Sequence, residues 1–253
     1  MNRLQVINDI RNRLSKGDVS VGSWMQIPQA SIAEIMGQLG YDWVAVDLEH
    51  GAIAVHQLPD LFRAIELGGT LPMARIPLPS SKECKSALDA GAGGIIVPMI
   101  ETAKQLEQIR DACCWPPNGN RGVGFSRANL FGKKFEQYKE EAKSPLLIAQ
   151  IENKVAIKNL DKIVKINGLD AIIIGPYDLS ASMGITAEFD NEKFKAVMSS
   201  IKKICQKNNI AFGDHIVKPD SELLLNRIKN GYTFIAYGTD GVFLNTSSKN
   251  PLH

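Results

Sequence analysis

The sequence predicts a single (β/α)8 TIM barrel, an α/β fold covering residues 1–253 as one domain. Three observations carry this. Eight short apolar runs alternate with stretches of helical periodicity. Most of the runs are apolar on both faces, as strands between a barrel core and a helix layer must be. The length, 253 residues, matches the roughly 250 of a closed barrel, and no linker or low-complexity segment divides the chain.

The predicted strands are 19–25, 43–47, 71–75, 94–99, 146–151, 171–174, 210–213 and 234–237. Helices fill the gaps. Ser31-Ile32-Ala33-Glu34 and Ser80-Ser81-Lys82-Glu83 read as capping boxes. Residues 58–67 carry apolar side chains three and four apart and stop before Gly68-Gly69. Residues 153–166 and 191–208 repeat the 3.6-residue pattern. The irregular piece 115–132, with two prolines and four glycines, is long enough to predict a functional loop. A doubly wound open sheet is the rival fold. It calls for a Gly-rich loop after the first strand, where this chain has Gln26-Ile27-Pro28-Gln29.

Composition removes several classes. Hydrophobic residues make up 44% and charged residues 22%, which excludes disordered, collagen-like and coiled-coil chains. Lys and Arg number 29 against 27 Asp and Glu, a net of +2, with no charged block. Neither nucleic acid nor a membrane surface is therefore an expected partner. No run approaches the roughly 18–20 apolar residues of a membrane span, and residues 1–13 lack an apolar signal core. The four cysteines form no Cys-x-x-Cys pair, so buried thiols in a reducing cytoplasm are expected.

Barrel active sites lie at the C-terminal ends of the strands. Strand two runs into Asp47-Leu48-Glu49-His50, strand three ends at Arg75 and strand five ends in Gln150-Ile151-Glu152. Strand six leads into Gly175-Pro176-Tyr177-Asp178, and strand seven ends in Asp214-His215. Five strands thus deliver polar groups to one rim. Glu152 and Asp178, with no cysteine nearby, suit a hard divalent cation such as Mg²⁺ or Mn²⁺. The plainer reading makes each a helix cap or half of an ion pair. His50, flanked by acids, fits a general base. Arg75 can hold a carboxylate or steady an enolate oxygen, or simply close the rim as an ion pair. Gly175-Pro176 before a helix start offers backbone N–H groups to an anion. His215 sits at a strand end without an assignable partner, and His56 and His253 carry no expected role. No apolar run contains lysine, which disfavours an imine mechanism.

From about Gly22 to Leu244 the chain resembles the HpcH/HpaI aldolase/citrate lyase family, the metal-dependent class II pyruvate aldolases. The resemblance rests on Tyr41-Asp42-Trp43 with Asp47-Leu48-Glu49-His50, and on Leu88-Asp89-Ala90-Gly91 before Val97-Pro98-Met99. It continues through Pro116-Pro117-Asn118-Gly119-Asn120-Arg121-Gly122, Gln150-Ile151-Glu152 and Gly175-Pro176-Tyr177-Asp178-Leu179-Ser180. The resemblance implies a barrel of the phosphoenolpyruvate/pyruvate-domain type. It implies a divalent cation (Mg²⁺, Mn²⁺ or Co²⁺) on Glu152 and Asp178, chelated by the oxygens of pyruvate. It gives Arg75 the enolate oxygen, His50 acid/base work, and Asp89 a pairing with that histidine. Gln150, Gly175, Pro176 and Tyr177 would line the substrate site, with Asp47 and Glu49 ordering metal-bound water. Tyr177 replaces a residue that is small in many members, and the pattern lacks Gly213-Asp214-His215. The implied partners are pyruvate or another 2-oxo acid plus an aldehyde, and copies of the chain in a trimer or hexamer, often with an exchanged helix. The implied reaction is reversible cleavage of a 4-hydroxy-2-oxo acid. The alternatives are a CoA-thioester lyase of the citrate lyase beta or malyl-CoA lyase type, and a catalytically silent carboxylate-binding barrel.

Overall fold

The computed structural model describes residues 1–248 and Asn250; His253 lies outside the described residues. Eight parallel strands close into one barrel in sequence order. They are β1 (Ser20–Met25), β2 (Trp43–Asp47), β3 (Leu71–Arg75), β4 (Gly94–Val97), β5 (Leu146–Ile151), β6 (Ala171–Ile174), β7 (Ala211–Ile216) and β8 (Phe234–Thr239). The helices are α1 (Arg3–Ser15), α2 (Ala30–Gly37), α3 (Leu58–Leu67), α4 (Ser81–Ala90), α5 (Ala103–Cys113), α6 (Phe135–Lys143), α7 (Lys154–Ile163), α8 (Pro176–Ser182), α9 (Glu192–Lys207), α10 (Ser221–Lys229) and α11 (Asp240–Ser247). No described helix is long and apolar enough to cross a membrane.

The core has two layers, because successive side chains of a strand face opposite ways. Inward rows of Trp43 and Ala45, Leu71 and Met73, Leu146 and Ile148, Ala171 and Ile173, and Phe234 and Ala236 fill the barrel. Outward rows, such as Val44 and Val46 or Leu147, Ala149 and Ile151, meet the helices. Helix α1 closes the N-terminal end of the barrel. Its Ile7, Ile10 and Leu14 join the inward layer. Arg3, Arg11 and Arg13 tie it down through Glu141, Asp170 and Asp42. Strands β7 and β8 approach so closely at Gly213 that a Cβ there would lie 1.6 Å from the Phe234 carbonyl oxygen. Glycine is required at that point for steric reasons alone.

Several expectations need correction. Ser31 caps nothing: α2 starts at Ala30, two residues earlier than a Ser31 cap requires, with Gln29 at the N-cap and no side-chain cap bond. Ser80 does cap α4, accepting from the Glu83 N–H. Strand β7 runs on to Ile216, so Asp214 and His215 lie inside it rather than beyond it. The segment 115–132 is not a rim loop of its own barrel. It follows the C-terminal end of α5, and Arg127 in it bonds Glu66 and the Ala90 carbonyl, both at helix ends that lead into strand starts. The segment therefore lies at the face opposite the active-site rim.

Replacing Ile10 by Ala removes part of the plug under the barrel. Urea unfolding is expected to show a loss of about 2–4 kcal/mol. A loss below about 0.5 kcal/mol would show that α1 does not seal the core.

Candidate active site

The inward rows end in polar residues. The row Trp43, Ala45 continues to Asp47, and Leu71, Met73 continues to Arg75. In the same way Leu146, Ile148 continues to Gln150, and Ala211, Gly213 continues to His215. Below this level the rows are almost entirely apolar. Above it, a cavity of about 400 Å³ opens at the barrel mouth, lined among others by Trp24, His50, Arg75, Gln150, Tyr177, Asp178 and His215. No lysine lines it. A larger cavity of about 660 Å³ lies at the opposite end. Its charges satisfy one another: Arg3 meets Glu66 at 3.0 Å and Glu141 at 2.7 Å, and Arg127 meets Glu66 at 2.6 Å. That cavity is a structural ion-pair cluster.

Arg75 is held on three sides. Its Nε and Nη2 donate to the two oxygens of Asp47 at 2.8 and 2.6 Å. Its Nη1 lies 3.1 Å from Glu49 Oε2, an ion pair without hydrogen-bond alignment. Its guanidinium stacks 4.3 Å from the Trp24 ring centroid. Asp47 is completely buried. It also accepts from Gln26 Nε2 and from the N–H groups of Glu49 and His50. Burial alone would raise the Asp47 carboxyl. The hydrogen bonds and charge of Arg75, helped by Gln26 and the His50 N–H, outweigh it and hold the carboxyl below its ordinary value. With both oxygens so engaged, Asp47 positions Arg75.

Glu49, beside Arg75, also feels the charge of Asp178 and acts on Glu152, so three carboxylates influence one another at the mouth. Glu152 is buried and accepts from the Met99 N–H and from Gln150 Nε2. Burial pushes its carboxyl up; these two donors oppose the rise, and the charges of Glu49 and Asp178 add to it. Glu49 is likewise raised, by burial first, then against Arg75 by Asp47 and Asp178. Asp178, in the first turn of α8, is exposed, and its carboxylate accepts no hydrogen bond from the described residues. Gly175 sits between the groups: a Cβ there would lie 3.0 Å from Glu152 Oε2 and 3.4 Å from Gln150 Nε2. The described residues contain no ready cluster of three or more His, Cys, Asp or Glu around one point. Two hard oxygen donors with a third acid behind them still fit a divalent cation whose remaining ligands are water and substrate oxygens.

The mouth therefore brings together His50, Arg75, Gln150, Glu152, Gly175, Pro176, Tyr177 and Asp178, with Asp47 and Glu49 behind Arg75. Asp89 is the exception. It lies near the C-terminal end of α4, at the far end of the barrel from His50, and the charges acting on it are those of Arg121 and Lys85. One chain does not bring Asp89 to His50. His215 joins the site, whereas Asp214, on the opposite face of β7, bonds Arg227 of α10 at 2.8 Å. The sequence reading missed Trp24, Gln26 and Asp240. Asp240 is buried and accepts from the N–H groups of Gln26 and Ile27, closing the seam between β8 and β1. An acid directly after an apolar strand is the signal for it, hidden because the apolar run that marks strand eight stops at Tyr237, two residues short of the strand's end.

Asp47→Asn tests the Arg75 clamp. The folded Asp47 carboxyl titrates below its unfolded counterpart, near 3.9. Its contribution is thus present above that value and lost as pH falls through the folded one. Urea titrations should show the variant about 3–5 kcal/mol less stable at pH 7. Its deficit should shrink toward pH 3. A deficit independent of pH would contradict the ion pair.

Known proteins resemble this chain along most of its length. The model of the HpcH/HpaI aldolase/citrate lyase family matches residues 20–246. A hydroxypyruvate/pyruvate aldolase of Roseobacter denitrificans is 35% identical over 95% of this chain and 94% of its own length. A 2-keto-3-deoxy-L-rhamnonate aldolase of Escherichia coli O6:K15:H31 is 36% identical, over 95% of this chain and 90% of its own. The crystal structure of a family protein from Burkholderia cenocepacia J2315 superposes with a TM-score of 0.88 at 27% identity, covering 95% of this chain and 96% of that one. This chain belongs to the HpcH/HpaI aldolase/citrate lyase family.

Proposed function

We propose that the chain is a class II aldolase, a carbon–carbon lyase that reversibly cleaves a 4-hydroxy-2-oxo acid of the 2-keto-3-deoxy type into pyruvate, or a close 2-oxo acid, and an aldehyde. The observation that carries this reading is the convergence of Glu49, Glu152 and Asp178 on a mouth whose facing cation is the clamped Arg75. The named activities of the two aldolase relatives support the substrate class. Glu152 and Asp178 would hold a divalent cation: Mg²⁺, Mn²⁺ or Co²⁺. When bound, such an ion supplies Lewis-acid withdrawal of charge from the oxygens of the 2-oxo acid.

The remaining steps belong to the chain. Gly175, without a side chain, leaves room beside Glu152 and Gln150 for the substrate carboxylate. Gln150 donates its Nε2 to Glu152 and so holds that carboxylate at the mouth. His50 is exposed at the cavity, and its ring makes no hydrogen bond with the described residues. It takes the proton of the 4-hydroxyl group. As the C3–C4 bond breaks, its electron pair passes into the enolate of pyruvate and the aldehyde carbonyl forms. Arg75, fixed by Asp47 and Trp24, faces the growing charge without reorganising. A proton returned to C3 completes pyruvate. Retention of Arg75, Glu152 and Asp178 at one mouth argues against a silent barrel.

The active unit we infer is a homo-oligomer. The Asp89–His50 pairing that the family resemblance implies can be met only between two copies. Apolar surface is also exposed on α10 and α2, where Leu225 and Ile35 are 58% and 61% accessible, and on the loop at Phe125 and Phe131, at 73% and 70%. The four cysteines are buried, and burial pushes the Cys205 thiol up to about 12, which suits a reducing cytoplasm.

Two measurements test the proposal. Glu152→Ala should abolish Mn²⁺ binding by equilibrium dialysis and lower pyruvate release at least 10²-fold. Retention of both would remove Glu152 from the ligand set. Separately inactive His50→Ala and Asp89→Ala chains, unfolded together and refolded, should regain a fraction of wild-type turnover. A mixture as inactive as its components would place Asp89 outside the site.

A further inference from the structure

His215 is a polar group of the cavity that the reaction above does not use. It ends the inward row of β7, so its ring faces the barrel mouth rather than the helix layer. It lies against Trp24, with ring centroids 5.6 Å apart. It lines both the main cavity and an adjoining one of about 540 Å³, which opens toward Phe189, Phe194 and Val217. Its Nε2 is 3.1 Å from the Gly238 carbonyl oxygen. A carbonyl oxygen only accepts, so Nε2 carries the proton and Nδ1 presents a lone pair. Nδ1 has no hydrogen-bond partner among the described residues, and it is not one of the sealed polar atoms of the interior. Burial first, and then the charge of Arg75, opposed by the Gly238 carbonyl and by Asp47, hold the ring down to about 4, so it is neutral at pH 7.

We infer that His215 Nδ1 is a fixed hydrogen-bond acceptor that reads a hydroxyl group on the aldehyde portion of the substrate. The inference rests on the aldolase reading above. The aldehyde site would then select a hydroxyaldehyde over its deoxy analogue, because only the hydroxyl can donate to the lone pair. A carboxylate at the same position would face an acceptor and be rejected. The cavity around the acceptor has apolar or aromatic walls at Trp24, Val217 and Tyr177, whose ring meets Phe189 edge to face at 5.1 Å, and polar ones at Gln26, Arg75 and Thr239. An acceptor in such a setting discriminates because leaving it unpaired is costly.

The experiment is aldol addition of pyruvate, with Mg²⁺ present, to 2-hydroxypropanal and to propanal. The intrinsic reactivity of the two aldehydes is the same for every protein, so the change in their kcat/KM ratio reports the residue. His215→Leu and His215→Phe should lower the ratio (2-hydroxypropanal over propanal) roughly tenfold. His215→Asn, which keeps an acceptor near the Nδ1 position, should hold it within about threefold of wild type. A ratio unmoved by the apolar variants, or lowered equally by all three, overturns the proposal. Nitrogen NMR of the wild-type ring provides a reading independent of variant folding. The Nε2–H neutral tautomer at pH 7 supports the proposal, and an Nδ1–H tautomer or an imidazolium overturns it. Failure to join pyruvate to any aldehyde would instead overturn the aldolase reading, and this inference with it.

Discussion

Side chains alternate across a strand, and in this barrel that alternation decides which residues can react. Asp47, Arg75, Gln150 and His215 stand at the ends of inward rows that are almost entirely apolar below them. Moving the register of any one strand by a single residue would turn its polar end into the helix layer. The neighbours of these groups show the contrast. Ile151 and Asp214, one residue away on the other face, belong to the shell between strands and helices. The closed hydrogen-bonding order of the strands, the plug of α1 and the close approach at Gly213 all serve to hold that register.

The second constraint is charge. A mouth that gathers four acids and one arginine in partly buried surroundings is out of electrostatic balance. Asp47 resolves its share by clamping Arg75 through two hydrogen bonds. Glu49 shares Arg75, whereas Glu152 and Asp178 meet no cation among the described residues, and burial together with mutual repulsion still lifts Glu49 and Glu152 above the ordinary range. Sites that bind a cation and then gather charge in a transition state are built in this way. Asp47 and Glu49 lie against Arg75, whereas Glu152 bonds Gln150 and the Met99 N–H and Asp178 makes no ion pair among the described residues.

Much of this was legible in the sequence because it depends on local pattern. The apolar runs locate all eight strands, four of them to the residue, and the positions at or just past the strand ends include His50, Arg75, Glu152 and Asp178. What was not legible depends on direction and on distance in space. Asp214 and His215 look equivalent as residues of one strand end and face opposite layers in the barrel. The segment 115–132 has the composition of an active-site loop, but it comes after a helix that runs away from the mouth. Asp89 sits inside a motif of the family and is carried to the far face by α4. Trp24 has no charge to mark it at the rim, although its ring supports both Arg75 and His215.

In the aldolase we propose, Glu152 and Asp178 hold a cation without which the chain cannot form the enolate of pyruvate. Exchange of the pyruvate methyl protons with deuterated water, monitored by NMR, isolates that half of the reaction from any choice of aldehyde. Protein treated with chelator should show exchange no faster than buffer, and Mg²⁺ or Mn²⁺ should restore it. Full exchange in the chelated protein, or an adduct with pyruvate trapped by borohydride, would contradict the account.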